Sequence, residues 1–237
     1  MGLGYNAQTP SICPVCGGNK FTRSPVLWDE LAHAWGLSPE QRAYIDDQQG
    51  LFCTGCKCSL RSMTLASAVM KRLGIGGTFS DCCELNMALR RLRVLEINEA
   101  GNLSPYFRKM PRYFFAAYPE YDMQKLPFKD GSYDLIVHSD TLEHVPNGVR
   151  ALAECRRLLA PGGFCAYTVP VIPDRLTRSR EGLPPSYHGT VQVNQEAYLV
   201  RREYGGDFWR EPVEAGFKTV SIHSIIYPTS VALVADA

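Results

Sequence analysis

The chain has 237 residues, of which 45% are apolar and 21% charged, a composition that is ordinary for a folded globular protein and excludes a largely disordered chain. Its 25 Lys and Arg residues against 24 Asp and Glu residues give a formal net charge of +1, which disfavours a nucleic-acid partner bound through a strongly basic surface. No apolar run approaches the roughly 18 residues of a membrane span, and no signal peptide is visible at the N-terminus. We predict a soluble cytoplasmic protein with one full domain and a smaller module.

Five of the nine cysteines lie in two clusters of short spacing, the first beginning at Cys13 and the second ending at Cys58. Two residues between thiols allow one tight turn to direct both sulfur atoms at a metal ion, and two such turns complete a tetrahedral site. We predict a structural zinc ion with four thiolate ligands: Cys13, Cys16, Cys53 and Cys56. Cys58 is then the spare thiol. A redox pair or unligated buried thiols are the alternatives.

The segment between the two clusters shows two helical patterns. Apolar residues from Leu27 to Trp35 follow helical spacing up to Gly36, and His33 within this run reads as an ordinary helix residue rather than a ligand. Ser38-Pro39-Glu40-Gln41 then combines an N-cap, a first-turn proline and a capping-box glutamine, which predicts a second helix ending near Gly50. A further helix is expected from Met63 to Leu73. Residues 1–72 are therefore predicted to form a small, helical, zinc-ribbon-like module.

Beyond residue 73 the pattern changes to short apolar strands that alternate with helices, which predicts an α/β fold: a mostly parallel sheet with helices on both faces. A helix is expected from about Asn147, and Pro161-Gly162-Gly163 should end it. The last two strands follow each other without a helix, so they should form an antiparallel hairpin. The predicted strands are residues 93–97, 133–138, 164–169, 218–224 and 230–234.

In such a sheet, ligands bind beyond the carboxyl ends of the strands. Three polar loops occupy those positions: Glu96 to Asn102, Asp122-Met123, and Ser139 to Thr141. The glycine pattern of a dinucleotide site is missing after the first strand, and a phosphate-binding P-loop is missing as well. The loops therefore favour a smaller nucleoside ligand that has no pyrophosphate.

Four short motifs occur in a specific order: Val94–Ile97, Leu126–Val137, Leu142–Val145 and Leu159–Gly163. Together they resemble class I S-adenosylmethionine-dependent methyltransferases of the type 11 group, over roughly residues 90 to 170. The two cysteine pairs resemble the zinc-binding N-terminal segments of some bacterial methyltransferases. The resemblance implies a Rossmann-like methyltransferase domain over residues 73–237, with S-adenosylmethionine as its cofactor.

The resemblance also assigns cofactor contacts to particular residues. Glu96 would orient the amine of the cofactor, and the loop after it would hold the methionine part. Asp122 and the Met123 backbone would contact the adenine, and Ser139 would offer its carbonyl near the amino group. Glu120 lies nearest to the position of an acidic ribose contact. The loop residues concerned are Asn98, Ala100 and Gly101, the first two standing where family members usually carry glycine.

The stretch from about 170 to 204 interrupts the alternation and is rich in proline and charge, so we predict a substrate lid there. His188 within it is a candidate general base for a hydroxyl acceptor, with hydrogen bonding inside its own loop as the alternative. His144 is a second catalytic candidate, unless it only orders the loop before the next helix. Three lid arginines would either grip an anionic acceptor or simply be solvated: Arg175, Arg178 and Arg180.

These features predict S-adenosylmethionine-dependent methyl transfer to a small-molecule or saccharide acceptor, with oxygen as the favoured acceptor atom. One alternative is an RNA methyltransferase whose zinc module contacts the RNA, although residues 1–72 carry only seven basic against five acidic residues. The other alternative is a non-catalytic binding protein with a methyltransferase fold.

Overall fold

The computed structural model describes residues 7–187 and 195–237. The first part of the chain contains β1 (Phe21–Arg23), α1 (Asp29–Ala34), α2 (Pro39–Gly50) and β2 (Leu51–Cys53). β1 and β2 pair antiparallel, with Phe21 opposite Cys53. This pairing returns the chain to its starting point after two helices, and so brings the two cysteine clusters together.

Both helices predicted between the cysteine clusters form. At the start of α2, the Ser38 Oγ accepts the backbone N–H of Gln41 at 3.2 Å, and the Gln41 side chain accepts the N–H of Ser38 at 3.0 Å. This is the predicted capping box. The helix ends at Gly50, where an added Cβ would lie 1.9 Å from the carbonyl oxygen of Ser24. Only glycine therefore allows β1 to approach the end of α2 this closely.

The elements that follow build a larger sheet and its covering helices. They are α3 (Leu60–Leu73), α4 (Phe79–Leu85), α5 (Met87–Arg90), β3 (Val94–Ile97), α6 (Ser104–Phe107), β4 (Tyr113–Ala116), β5 (Tyr133–Ser139), α7 (Gly148–Leu158) and β6 (Leu159–Thr168). The chain ends with β7 (Val171–Ile172), β8 (Arg178–Ser179), β9 (Arg202–Gly205), α8 (Arg210–Glu214), β10 (Thr219–Ile226) and β11 (Ser230–Asp236).

Six strands form the main sheet in the order β10-β11-β6-β5-β3-β4. β4, β3, β5 and β6 are parallel to their neighbours, whereas β11 runs antiparallel to both β6 and β10. The predicted Rossmann-like α/β fold and its final antiparallel hairpin are confirmed. Because the parallel strands have their carboxyl ends at one edge, the loops that follow them can line a common cavity.

Helices cover both faces of the sheet. α3 packs against β6, β10 and β11 on one face, while α7 packs against β6 on the other. The apolar core beneath α3 also includes Cys13, Val15 and Leu51, so the cysteine-bearing segment and the sheet share one core. The predicted boundary between residues 72 and 73 stays a prediction; it falls inside α3, one residue before the helix ends. No helix in the described ranges has both the length and the apolar character of a membrane span.

The edge strand β4, which follows β3 along the chain and lies outside it in the sheet, was not predicted from the sequence. Its four residues, Tyr113 to Ala116, pair in parallel with β3. They alternate weakly, because an edge strand with partly exposed faces does not produce a clear buried pattern. Glu120 is exposed and lies beyond the end of β4.

The segment predicted as a lid around 170–204 is partly ordered by a small sheet of its own in its described residues. β9 pairs in parallel with β7 and antiparallel with β8. Each of β7 and β8 has only two residues, which is too short to give a periodic signal in the sequence.

Candidate functional site

Four cysteine side chains converge where the two N-terminal turns meet. The sulfur atoms of Cys13, Cys16, Cys53 and Cys56 all lie within 4.8 Å of one another. Across the two turns, the Cys13 and Cys56 sulfurs are 3.6 Å apart, and so are those of Cys16 and Cys53. Thiolates around tetrahedral zinc, with bonds of about 2.3 Å, stand about 3.8 Å apart. The four predicted ligand residues therefore fit a zinc ion in type, number and spacing.

The two turns repeat one backbone design. Cys13 donates its N–H to the carbonyl of Gly18 at 2.7 Å, and Cys53 donates to the carbonyl of Cys58 at 3.0 Å. One residue before each acceptor the backbone is left-handed, with φ of 75° at Gly17 and 62° at Lys57. Cys58 thus occupies the position equivalent to Gly18. This equivalence gives a physical reason for leaving Cys58 outside the cluster.

Backbone hydrogen bonds favour the thiolate form at Cys53. Burial opposes ionisation there, but the N–H groups of Cys56 and Gly55 outweigh it and lower the pKa of Cys53 to about 7. Cys58 is buried, and burial raises the pKa of its thiol. Its sulfur lies 3.5 Å from the carbonyl oxygen of Asn102, on the loop after β3. The spare cysteine therefore behaves as a packed thiol that links the two loops.

A cavity of about 650 Å³ lies at the carboxyl ends of β3, β4 and β5. This strand-end cavity falls within the range of roughly 300–1,000 Å³ that small-molecule sites occupy. Six of the residues singled out from the sequence line it: Asn98, Gly101, Asp122, Met123, Ser139 and His144. The three predicted polar loops thus meet at one place.

Glu96 and Ala100 lie behind the lining of this cavity. The buried Glu96 carboxylate accepts the backbone N–H of Ala100 at 2.7 Å and the hydroxyls of Ser104 and Tyr113. These bonds hold the loop after β3 in shape. Glu96 thus orders the loop, and its predicted contact with the cofactor amine, directly or through water, stays a prediction.

The loop after β3 has the backbone shape that glycine would give. Asn98 has a φ of 52° and Gly101 a φ of 58°. Asparagine adopts the left-handed region more readily than other side chains, which explains its presence where glycine is usual. The Asn98 Oδ1 also accepts the N–H of Tyr118 at 3.0 Å, so its side chain ties this loop to the end of β4.

The other two loops are each ordered by short-range hydrogen bonds. The Asp122 Oδ1 accepts the N–H of Gln124 at 2.9 Å. The Ser139 carbonyl accepts the Thr141 hydroxyl at 3.2 Å, and the Ser139 Oγ lies 2.7 Å from the Thr168 Oγ1. Both loops are therefore held in place by the protein itself.

Sequence analysis missed an ion pair in the cavity wall. The Arg61 guanidinium, on α3, pairs with the Asp140 carboxylate just after β5, and both residues line the strand-end cavity. Burial raises the pKa of Asp140 against the effect of Arg61. Asp140 could be recognised as a candidate site residue because it directly follows a predicted strand. No pattern in the sequence indicates Arg61, which lies 79 residues away from Asp140.

His144 lies largely buried in the same wall. Its Nδ1 is 3.1 Å from the carbonyl oxygen of Leu199, so Nδ1 carries the proton, and its Nε2 lies 3.7 Å from the Glu143 Oε1. Burial lowers the pKa of His144, which keeps the imidazole neutral. The neighbouring Glu143 is buried, and burial together with the charge of Asp140 raises the pKa of its carboxyl. The other candidate base, His188, lies outside the described residues.

The three lid arginines are engaged within the protein. Arg175 donates to the carbonyl of Trp35 at 2.8 Å, while Arg178 and Arg180 both pair with Glu203. All three arginines also line a cavity, and their predicted contact with an anionic acceptor stays a prediction. Their charges are used to join the lid to α1 and to β9.

Parts of the chain are similar to known proteins. Residues 82–167 match a family model described as a methyltransferase domain. A ubiquinone biosynthesis O-methyltransferase of Thiobacillus denitrificans is 25% identical over 157 residues, covering 60% of this chain and 60% of the relative. A sterol 4-C-methyltransferase of Caenorhabditis elegans is 30% identical over 95 residues, covering 40% of this chain and 28% of the relative. The chain thus spans less than two thirds of the length of these relatives.

Solved structures similar to this chain include two methyltransferases. One is a SAM-dependent methyltransferase of Thermotoga maritima, described as a possible histamine N-methyltransferase, with a TM-score of 0.43 and 16% identity over 75% of this chain and 89% of the other. The second is the 1,6-didemethyltoxoflavin N1-methyltransferase of Burkholderia thailandensis, with a TM-score of 0.43 and 14% identity over 74% of this chain and 77% of the other.

Residues 82–167 thus match a methyltransferase domain. The order of the strands in the main sheet and the cavity at their carboxyl ends agree with such a domain.

Proposed function

We propose that the protein transfers a methyl group from S-adenosylmethionine to an oxygen atom of a small-molecule or saccharide acceptor. The observation that carries the proposal is the convergence of three loops, from β3, from the region after β4 and from β5, on one cavity. Ordered polar loops at the strand ends of such a sheet are the usual place for a nucleoside ligand.

S-Adenosylmethionine, when bound, supplies a methyl group already activated by a sulfonium. The protein has to bind, align and exclude water. Asn98 and Gly101, both with left-handed backbone, line the cavity together with Asp122 and would hold the cofactor there. Glu96 supports this arrangement from behind through the N–H of Ala100.

A hydroxyl acceptor also needs a group that takes up its proton. His144 is suited to this role because it lines the cavity, is held through Nδ1 and is kept neutral by burial. His188 is proposed as an alternative base from its place in the sequence alone. Alanine variants of the two histidines distinguish these candidate bases by their effect on turnover.

We also propose that Cys13, Cys16, Cys53 and Cys56 hold one structural zinc ion. The sulfur spacing and the repeated turn support this assignment. A four-thiolate site has no open position for a substrate, so its role would be to fix β1 and β2 relative to α3.

The direct test is calorimetric titration of the zinc-loaded protein with S-adenosylmethionine and with S-adenosylhomocysteine, followed by methyl-transfer assays on hydroxylated acceptors. One binding event per chain and methyl incorporation would support the proposal. Absence of binding would favour a non-catalytic protein instead. Salt-dependent retention on RNA with methyl transfer to the RNA would favour the alternative RNA methyltransferase.

A further inference from the structure

A second cavity of about 330 Å³ lies beside the strand-end cavity, and its wall comes largely from the segment between the two cysteine pairs. Trp28, Leu31, Trp35 and Leu37 contribute to it from α1 and its flanks, and Ile45 from α2. Ile172 closes it from β7. We call it the apolar cavity. The apolar cavity is formed by α1 with its flanks, by α2 and by β7, which do not belong to one sequence motif.

The two cavities are adjacent and share part of their wall. Asp140, His144 and Tyr198 line both of them. A molecule lodged in the apolar cavity would therefore present one end to the space that we assign to the cofactor, beside the imidazole of His144. Because it borders the strand-end cavity, the apolar cavity differs from a surface depression that has no neighbouring site.

The wall of the apolar cavity is fixed before any ligand arrives. The Asp46 carboxylate accepts the backbone N–H groups of Val26 and Leu27 at 2.7 and 2.8 Å. The Trp35 indole N–H donates to the Ser186 hydroxyl at 2.9 Å, and this bond joins α1 to the lid. Such anchoring reduces the ordering cost of binding.

The chemistry of the wall selects the ligand. Apolar side chains dominate, and Trp28 remains 49% exposed although it lies against the cavity. Among the described lining residues the carboxylate is that of Asp140; Arg61 balances its charge, and its Oδ1 has no hydrogen-bond partner in the described residues. Covering apolar surface contributes about 25 cal/mol per Å², whereas a polyhydroxylated ligand would lose hydrogen bonds to water here.

We propose that the apolar cavity is the acceptor site and that it takes a neutral, largely apolar molecule of one or two rings, with the group to be methylated at the end near His144. This inference rests on the proposed function, and it narrows the acceptor class from small molecules and saccharides to apolar ring compounds. Its volume lies at the lower end of the range for small-molecule sites.

The test uses 1-naphthol as a neutral ring probe and maltose as a saccharide probe, in equilibrium dialysis with the full zinc-loaded chain. Trp28→Ala removes part of the wall, and Trp209→Ala is its matched control, because Trp209 is similarly exposed (44%) but lies outside both cavities. Leu37→Ser provides a second wall variant. Thermal unfolding identifies any variant that fails to fold.

We expect 1-naphthol to bind the wild type and Trp209→Ala equally, and to bind both wall variants at least tenfold more weakly. Equal binding to wall variants and control, or a preference for maltose, would overturn the inference. S-Adenosylmethionine affinity, measured separately, should be the same in all of these proteins. If the wild type does not bind S-adenosylmethionine, the proposed function is refuted. If it binds S-adenosylmethionine but not 1-naphthol, only the proposed acceptor site is refuted.

Discussion

The Arg61 guanidinium and the Asp140 carboxylate form an ion pair that joins α3 to the carboxyl end of β5. Both side chains are largely buried, with 13% and 20% of their surfaces exposed. Asp140 also has a left-handed backbone, with a φ of 46°, which turns the chain away from the sheet. The pair therefore connects the segment that follows the cysteine cluster with the wall of both cavities.

Removing one partner of this pair should cost more than removing both. Asp140→Ala leaves a buried guanidinium without its carboxylate and should lower the free energy of unfolding by roughly 3–5 kcal/mol. The double variant Arg61→Met with Asp140→Ala should recover part of that loss. Urea denaturation of the two single variants and the double variant checks this. Simple additivity of the two single effects would contradict a direct interaction.

Zinc should depend on Cys53 and be independent of Cys58. Cys53→Ser removes one of four thiolates that lie within 4.8 Å of one another, so we expect the metal to be lost. Cys58→Ser is the matched control, since its sulfur points to the Asn102 carbonyl. Metal analysis of the purified proteins gives the readout. Well under one zinc per wild-type chain would rule out the proposed site.

Cofactor affinity should depend on the carboxylate of Asp122. Asp122→Ala should weaken S-adenosylmethionine binding by roughly 1–3 kcal/mol, the usual cost of leaving a polar partner unpaired. Glu214→Ala, on the exposed surface of α8, serves as the control. Calorimetric titration measures both. Equal affinities of the two variants for S-adenosylmethionine would contradict the proposed contact between Asp122 and the adenine.

Two catalytic variants separate the candidate bases. If either histidine accepts the proton, its alanine variant should lower turnover by about 10²–10⁴-fold. S-Adenosylmethionine affinity should change little, because the base faces the acceptor. Because burial lowers the pKa of His144, a reaction that relies on it should keep its rate to more acidic pH than an exposed imidazole allows. Unchanged turnover in both variants would leave alignment alone to explain catalysis.

His138 should make the protein sensitive to acid. It is fully buried in β5 and stacks on Tyr167 with ring centroids 4.6 Å apart, and neither ring nitrogen has a hydrogen-bond partner among the described residues. Burial lowers the pKa of His138 to about 3. The folded state then keeps the ring neutral, while the unfolded chain binds a proton below about pH 6.5.

This difference stabilises the fold above pH 6.5 and is lost as the pH falls towards 3, at up to about 1.4 kcal/mol per pH unit. His138→Phe should flatten the pH dependence of the free energy of unfolding over that window. His33→Asn, at an exposed position, should leave it as in the wild type. Urea denaturation between pH 7 and pH 4 distinguishes them. Parallel profiles for His138→Phe and the wild type would remove His138 as the cause.

The sequence predictions that the structure confirms depend on interactions between residues that are close together in the chain. The capping box at Ser38, the buried strand from Val94 and the helix after Asn147 each depend on neighbouring residues alone. The placement of two thiols on each turn also followed from spacing, whereas the meeting of the two turns depends on the pairing of β1 with β2.

Features that depend on distant parts of the chain were missed. β4 is a four-residue edge strand whose apolar run carries little periodic signal, and the ion pair of Arg61 joins residues 79 positions apart. The apolar cavity exists only because α1, α2, β7 and the loop after β5 meet. Such sites are created by tertiary packing, so single-sequence patterns carry no trace of them.

The return of the chain through β1 and β2 gives the segment between the cysteine pairs two fixed ends. Residues 17–52 connect the first cysteine-bearing turn to the second. The loops that line the strand-end cavity belong to a later part of the chain. Side chains of this segment line the apolar cavity but are absent from the lining of the strand-end cavity. Substitutions at its cavity-facing positions would therefore change the shape of the apolar cavity while leaving the loops that carry Asn98 and Asp122 with their own hydrogen bonds.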